Sequence, residues 1–260
     1  CKNTIIPTTI KSIGYSAFYG CKDLTSIEIP DGVTSIGDLA FDSCYGLTNI
    51  YFPSSITNIG YRAFSGCVGL INIELPSNVM KIEYSAFEGC NNLVSIKIPA
   101  KVETIEGNPF QGCQSLESII VDKENTIYNS GENNNYIAET ATNTLVAVCK
   151  NTIIPTNITN IGEEAFRGYS GSTELEIPES VISIGTRAFY GCCLKRIKIP
   201  ASVTNIGDEA FFSCFDLRDI NVDADNAYYC SDNGILYNKE KTEIIRLPKE
   251  KAGTSFTIPN

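Results

Sequence analysis

The stretch AFEGCNNLVSIKIP, from Ala86 to Pro99, decides the fold of this chain. Close variants occupy residues 40–53 and 63–76, with Phe52 and Leu75 in place of the last isoleucine. The proline that ends the stretch recurs every 23 residues, at Pro7, Pro30, Pro53, Pro76 and Pro99. A fixed period of this length is typical of solenoids, in which each repeat forms one coil that stacks on the previous coil.

Within each coil, alternating side chains predict one short strand. In the second coil, Leu24, Ile27 and Ile29 are apolar, whereas Ser26 and Glu28 between them are polar. Successive side chains of a strand point to opposite faces, so the isoleucines are predicted to face the core and the polar residues the solvent. The spacing Leu-x-x-Ile-x-Ile is the strand signature of leucine-rich repeats, with isoleucine at most of the leucine positions.

Equivalent residues of successive coils are predicted to form ladders through the core, because stacked strands lie about 4.8 Å apart. Phe41 should therefore pack on Phe18 and Phe64 of the neighbouring coils. The cysteines keep the same 23-residue step, at Cys21, Cys44, Cys67, Cys90 and Cys113.

Two related interruptions divide the array. Asn125-x-x-Tyr128-x-Ser130 in the first matches Asn226-x-x-Tyr229-x-Ser231 in the second, and each interruption has the alternating pattern of a hairpin. We predict one solenoid made of a first coil block (1–121), a hairpin insertion (122–148), a second coil block (149–222), a second insertion (223–247) and the start of a further coil (248–260).

The sequence CKNTIIP occurs at both 1–7 and 149–155, so Cys1 occupies an interior position of the repeat. This repetition favours a fragment of a longer array over a lipid-anchored N-terminal cysteine.

Composition argues against several classes of function. The net charge of −10 and the sequence pI of about 4.6 argue against a nucleic-acid partner or an anionic membrane, and no run of 18 apolar residues predicts a membrane span. The sequence has no histidine, which excludes Ser-His and Cys-His nucleophile pairs. The carboxylate pairs Glu163-Glu164 and Asp208-Glu209 are predicted to lie in solvated turns. We therefore predict that the chain is not an enzyme.

The eleven cysteines are open to three interpretations: disulfides, a metal site or buried structural thiols. The chain has no Cys-x-x-Cys motif and no histidine, so zinc lacks its usual ligands. Parallel side chains on adjacent coils also fit disulfide geometry poorly. A ladder of buried, reduced thiols is the favoured interpretation. The loop Asp223–Asn226 lacks the glycine and the distal glutamate of a calcium site, so we predict no metal and no cofactor.

The repeat unit seen at 63–82 resembles the BspA-type leucine-rich repeat, and the resemblance covers essentially the whole chain. It implies a secreted or cell-surface protein of a host-associated microbe. It also implies an adhesin-like role towards a host matrix or plasma protein of the fibronectin or fibrinogen kind, or towards another cell-surface macromolecule. The fold class expected is an α/β-type leucine-rich repeat rich in β-structure: a right-handed solenoid of ~23-residue coils with a stacked parallel sheet and two hairpin insertions.

The candidate partner-binding surface is the row of outward-facing strand residues, called here the strand face and predicted to be concave. Its members share an exposed position beside the core isoleucines: Ser26, Glu28, Asn49, Tyr51, Asn72, Glu74, Ser95, Lys97, Ile120, Glu176 and Lys198. The hairpin insertions, rich in Tyr and Asn, are an alternative recognition surface. The alternative function is structural, that of a spacer or stalk presenting another domain.

Overall fold

The computed structural model describes residues 4–249. The chain divides into two compact units, one running to Ala141 and including Val146–Lys150, the other comprising Thr142–Leu145 and the residues from Asn151 onward. Within residues 4–249 the regular structure is strand and turn, with no α-helix, and each unit is built of stacked parallel coils about 23 residues apart. The predicted β-solenoid is thus confirmed.

The coils of the first unit contribute strands to two kinds of parallel sheet. The strand-face strands are β1 (Ser26–Glu28), β3 (Asn49–Tyr51), β5 (Asn72–Ile73), β7 (Ser95–Ile98) and β9 (Ser118–Val121). Between them in sequence lie β2 (Ser35–Ile36), β4 (Asn58–Ile59), β6 (Lys81–Ile82) and β8 (Thr104–Ile105). The sheets are β1-β3, β5-β7-β9 and β2-β4-β6-β8, and in each of them equivalent isoleucines pair, as Ile27 does with Ile50.

The second unit repeats this plan. Its strand-face sheet is formed by β14 (Glu174–Glu176), β16 (Arg196–Ile199) and β18 (Asp219–Val222). Its second kind of strand comprises β13 (Asn160–Ile161), β15 (Ser183–Ile184) and β17 (Asn205–Ile206). All of these neighbours are parallel and in register.

Phenylalanine rings form the predicted column through the core of each unit. Phe41 stacks on Phe18 and Phe64, with ring centroids 4.9 and 5.3 Å apart and interplanar angles of 1° and 3°. The spacing is that of adjacent strands, so the coil repeat itself sets the ring separation. Phe166, Phe189 and Phe211 stack in the same way in the second unit.

The turn before each core phenylalanine is held by backbone hydrogen bonds to the next coil. Leu39 and Phe41, for example, donate their N–H groups to the carbonyls of Tyr61 and Ala63, both at 2.8 Å. In seven coils the residue before Ala-Phe has positive φ although it is not glycine: Ser16, Leu39, Arg62, Ser85, Glu164, Arg187 and Glu209. Each such residue costs about 1–2 kcal/mol of backbone strain, which the intercoil hydrogen bonds offset.

One glycine position is fixed by close approach between coils. A Cβ atom on Gly60 would lie 2.8 Å from the backbone N of Asp38, and one on Gly207 would lie 2.5 Å from the backbone N of Thr186. These glycines have ordinary φ, so the packing of one coil on the next requires them rather than a special conformation.

The first interruption contains β10 (Tyr128–Asn129), β11 (Tyr136–Glu139) and β12 (Thr144–Val148), of which β10 and β11 pair antiparallel. It satisfies polar groups at the edges of the first unit's sheets. The Tyr128 hydroxyl accepts a hydrogen bond from the N–H of Ile105 in β8 at 2.9 Å, and the Ser130 Oγ accepts one from the N–H of Val121 in β9 at 3.1 Å.

The second interruption contains β19 (Tyr229–Asp232), β20 (Ile235–Asn238) and β21 (Ile244–Arg246), which form an antiparallel sheet. Tyr229 and Ser231 accept from the N–H groups of Ile206 and Val222, both at 2.9 Å. Elsewhere these N–H groups donate to carbonyls of the next coil, and here the Tyr and Ser hydroxyls of the shared Asn-x-x-Tyr-x-Ser motif take the place of those carbonyls as acceptors. This common role explains why the motif recurs.

Candidate functional site

The strand face carries two exposed rows in the first unit. The parallel register places Ser26 beside Asn49, and Glu28 beside Tyr51. Tyr51 is 61% exposed although it is aromatic, and it lines a cavity of about 670 Å³ together with Glu28 and Ile5. A large exposed ring beside a carboxylate offers both apolar contact and hydrogen bonding to a partner.

The adjoining sheet of the same unit continues these rows. Asn72 pairs with Ser95, whose Oγ donates to the Asn72 Oδ1 at 3.1 Å. Lys97 lies beside Ile120, which is exposed. Glu74 follows the end of β5 and is also exposed.

Lys97 is held by an ion pair that the sequence analysis did not identify. Its Nζ lies 2.9 Å from the Asp122 Oδ2, just beyond the end of β9. The hydrogen bond from Lys97 and that from the Glu124 N–H hold the pKa of Asp122 below its ordinary value. The ion pair orients the lysine towards the end of β9, but the lysine side chain is 61% exposed, so water screens the attraction and the restraint is weak.

In the second unit, Glu176 and Lys198 are neighbours on β14 and β16. Lys198 pairs with Asp223 at 3.2 Å, in the arrangement that Lys97 makes with Asp122. The backbone N–H of Asp225, followed by Lys198, holds the pKa of Asp223 below its ordinary value. Arg196 and Glu174 form a further ion pair on this face, in the row of Ser26 and Asn49, which the sequence analysis followed only through the first coil block.

The strand face thus presents pairs of opposite charge next to uncharged polar and aromatic side chains. The structure brings together Ser26 with Asn49, Glu28 with Tyr51, Asn72 with Ser95, Lys97 with Ile120, and Glu176 with Lys198. That these residues bind a partner stays a prediction.

One expectation about the turns was wrong. Glu164 is buried rather than solvated, with its carboxylate 2.7 Å from the Arg167 guanidinium. The ion pair with Arg167 offsets the cost of burying this carboxylate, whereas Glu163 is exposed as expected, and so is Glu209, which has the same positive φ. The ion pair between Glu164 and Arg167, three residues later in the chain, is a local structural contact.

The repeated cysteines form a hydrogen-bonded ladder. The Sγ of Cys44, Cys67 and Cys90 each donates to the carbonyl of the phenylalanine one coil earlier, at 3.0–3.1 Å. Burial raises the pKa of the Cys44 thiol to about 11 and raises those of Cys67 and Cys90 well above their ordinary value. In the second unit, Tyr169 replaces a ladder cysteine and packs edge-on against Phe166, with ring centroids 5.4 Å apart.

We expect Cys67 and Cys90 to resist alkylation in the folded protein at mildly alkaline pH. A raised pKa lowers the thiolate fraction at any given pH, and the thiolate is the reacting species. Partial burial also raises the pKa of Cys193, but its sulfur is accessible to the reagent, so Cys193 should be labelled much faster than either buried thiol. Timed iodoacetamide labelling with peptide mass spectrometry measures this, and urea-unfolded protein is the control in which all three react. Disulfide-linked Cys67 or Cys90, or labelling as fast as that of Cys193, would contradict it.

No cluster of metal-ligating side chains is present in the part of the chain that the structure describes. Residues 4–249 contain no group of three or more His, Cys, Asp or Glu side chains placed to hold a metal ion. The loop at Asp223 is an Asx turn, in which the carboxylate accepts the Asp225 N–H at 3.1 Å. The same residues include no helix long and apolar enough to cross a membrane.

The chain belongs to the BspA-type leucine-rich repeat family. The BspA type Leucine rich repeat region matches in six copies, over residues 1–135 and 146–252. This confirms the resemblance found in the repeat unit. None of the curated proteins matches the chain.

Solved structures of bacterial leucine-rich repeat proteins share the fold. A leucine rich cell surface protein of Faecalibacterium prausnitzii is 27% identical with a TM-score of 0.58, over 84% of this chain and 78% of that one. The pneumococcal vaccine antigen PcpA is 23% identical with a TM-score of 0.67, over 84% of this chain and 61% of that one. A leucine-rich repeat protein of Eubacterium ventriosum is 24% identical with a TM-score of 0.64, over 77% of this chain and 60% of that one. The chain thus spans about 60% of the length of the last two proteins.

Proposed function

We propose that this chain is a non-enzymatic binding module of a cell-surface or secreted protein, and that it recognises a macromolecule through the strand face. The observation that carries the proposal is the exposed Tyr51 beside Glu28, at a cavity that Ile5 also lines. Aromatic side chains are enriched among residues that dominate binding energy, because they bury a large area and lose little entropy.

Membership of the family supports an adhesin-like role, and the Faecalibacterium relative is described as a cell surface protein. Both support an extracellular or cell-surface location for this chain. The mixed charges of the strand face suit a protein partner. The proposed partner is a host matrix or plasma protein of the fibronectin or fibrinogen kind, or another cell-surface macromolecule.

A second candidate function is that of a spacer that holds another domain away from the cell. It is favoured by the continuous hydrogen bonding between coils, which covers the turns as well as the strands. Such bonding resists bending within a unit, as a stalk requires. Saturable binding by this chain alone separates the two functions, since a spacer needs no ligand.

The test compares two triple variants of the same composition. Replacing Tyr51, Glu74 and Lys97 with alanine removes an aromatic and two charged groups from the strand face. Replacing Tyr45, Lys101 and Glu103 with alanine removes the same residue types from exposed positions outside it. Binding to immobilised fibronectin, fibrinogen and a glycan panel is measured at physiological salt by biolayer interferometry.

We expect the strand-face variant to weaken binding roughly tenfold or more, and the control variant to bind as the unmodified chain does. Equal losses in both variants would contradict recognition through the strand face. Absence of saturable binding to every immobilised molecule would favour the spacer.

A further inference from the structure

The turn side of the first unit has a notch one coil wide, away from the strand face. The first coil carries Tyr15 and Tyr19 here, and the third carries Tyr61 and Arg62. The second coil has the shorter Asp38 at the position of Tyr15 and Tyr61. A cavity of about 570 Å³ lies here, and its lining includes Tyr15, Tyr61 and Asp42. Asp38 lies beside this cavity, between the two tyrosine coils, because its carbonyl accepts from the Ser16 N–H at 2.9 Å and its Oδ1 from the Tyr61 N–H at 3.0 Å.

The tyrosine column that contains this notch is otherwise filled. Tyr61 stacks on Tyr84 of the next coil, with centroids 6.1 Å apart and rings 8° from parallel. Beyond Tyr84, a Cβ atom on Gly107 would lie 2.6 Å from the Tyr84 ring, so that ring covers the glycine. On the other side of Tyr61 the column holds only Asp38, and Tyr15 lies one coil further.

The width of the notch fits one flat group. Tyr15 and Tyr61 are separated by two coil steps, which is about 10 Å for stacked strands. A cation is attracted to an aromatic face from as far as about 6 Å from the ring centroid, so a flat cation midway between the two rings, about 5 Å from each, is within range of both. Tyr15 is 74% exposed, so its ring is accessible to a ligand in this space.

The surroundings of the notch are acidic. Asp38 accepts a hydrogen bond from the Tyr61 N–H through Oδ1 at 3.0 Å, and within residues 4–249 its Oδ2 has no hydrogen-bond partner. Asp42 is buried and paired with Ser43 and Arg62, and Arg62 also contacts Glu88 at 3.5 Å. The three carboxylates outnumber the one guanidinium, in a chain whose net charge is −10.

We propose that this notch binds an arginine side chain of a partner protein, stacked between Tyr15 and Tyr61 above the Asp38 carboxylate. A guanidinium is planar and cationic, stacks on tyrosine faces and donates paired hydrogen bonds to a carboxylate. The wall residue Arg62 is already neutralised by Asp42 and Glu88, so it does not repel the ligand. The notch is separate from the strand face, and neither proposal depends on the other.

The experiment titrates protein carrying carbon-13-labelled tyrosine rings with the blocked peptide Gly-Arg-Gly and with its citrulline analogue. Citrulline keeps the shape of arginine and removes its charge. NMR signals of Tyr15 and Tyr61 are assigned from single Tyr→Phe variants. We expect saturable shifts at these two rings, with a dissociation constant roughly tenfold lower for the arginine peptide.

Two variants and a matched control complete the test. Asp38→Tyr fills the notch with the residue that the repeat itself uses at this position, and it should abolish the shift at Tyr61. Tyr15→Ala removes one exposed wall and should weaken binding roughly tenfold. Glu163→Tyr makes the same type of change at the equivalent exposed position of the second unit and should leave binding unchanged.

Equal affinity for the two peptides would overturn the proposal, since a neutral group would then bind as well as a cation. Shifts spread over all tyrosines, unchanged binding in Asp38→Tyr, or no saturable shift would also overturn it.

Discussion

Phe64→Ala is expected to lower the free energy of unfolding by about 4 kcal/mol, the range observed for deleting a buried aromatic ring. Phe64 is fully buried and stacks between Phe41 and Phe87, at centroid distances of 5.3 and 5.5 Å. The Phe52 ring also packs against it, with centroids 5.9 Å apart and ring planes 89° apart. Removing the ring opens a cavity at the centre of the column.

The cavity cannot close easily, because backbone hydrogen bonds fix the coils on both sides. Phe41 donates its N–H to the Ala63 carbonyl, and Phe64 donates to the Ala86 carbonyl, both at 2.8 Å. Sites that relax least show the largest losses of stability. Denaturant titration followed by circular dichroism measures the effect.

Phe215→Ala is the matched control, because Phe215 is 65% exposed. An exposed substitution should change stability by less than about 0.5 kcal/mol. If Phe64→Ala cost no more than Phe215→Ala, the phenylalanine column would not be the main source of stability in the first unit.

The phenylalanine column could be predicted from the sequence because the 23-residue step leaves only one arrangement of identical side chains. The positive φ of Leu39 and Arg62 could not, since neither residue favours that conformation. Its cause is the hydrogen bonding to the next coil, a contact between residues 22 positions apart that no local pattern reveals. The burial of Glu164 was missed because its ion pair with Arg167 depends on the conformation of that turn, which the repeat pattern does not show.

The alternation of buried and exposed side chains that defines the strand face could be predicted from strand periodicity alone. The ion pair of Lys97 with Asp122 did not, because its geometry depends on the turn after β9. The notch at Asp38 was also missed by the sequence analysis. It is detectable by comparing aligned coils, in which Asp38 alternates with Tyr15 and Tyr61.

Asn226→Ala is expected to destabilise the second unit by about 4 kcal/mol, because it removes four hydrogen bonds to backbone groups at about 1 kcal/mol each. Asn226 is fully buried. Its Nδ2 donates to the carbonyls of Pro200 and Val203 at 2.8 and 2.9 Å. Its Oδ1 accepts from the N–H groups of Tyr228 and Tyr229 at 2.9 and 2.8 Å.

Asn226→Asp separates this role from that of an ordinary Asx turn. Aspartate keeps an oxygen for the two tyrosine N–H groups, but it places a second oxygen against the carbonyls of Pro200 and Val203. We therefore expect aspartate to be as destabilising as alanine, whereas an Asx turn alone would be rescued, since Asp and Asn both support it. Asn221→Ala, at an exposed position of β18, is the control and should be near neutral.

Hydrogen exchange locates the effect within the second unit. Loss of Asn226 should speed exchange at the Tyr228 and Tyr229 amides, and also at Ile206, whose N–H bonds to the Tyr229 hydroxyl at 2.9 Å. The Ile206 amide reports on the cap itself, because it lies in β17 rather than in the insertion. Faster exchange confined to Tyr228 and Tyr229 would show that the motif holds only its own turn. Faster exchange that includes Ile206 would show that the asparagine positions the tyrosine that closes the sheet edge, which is the role its repetition in both insertions predicts.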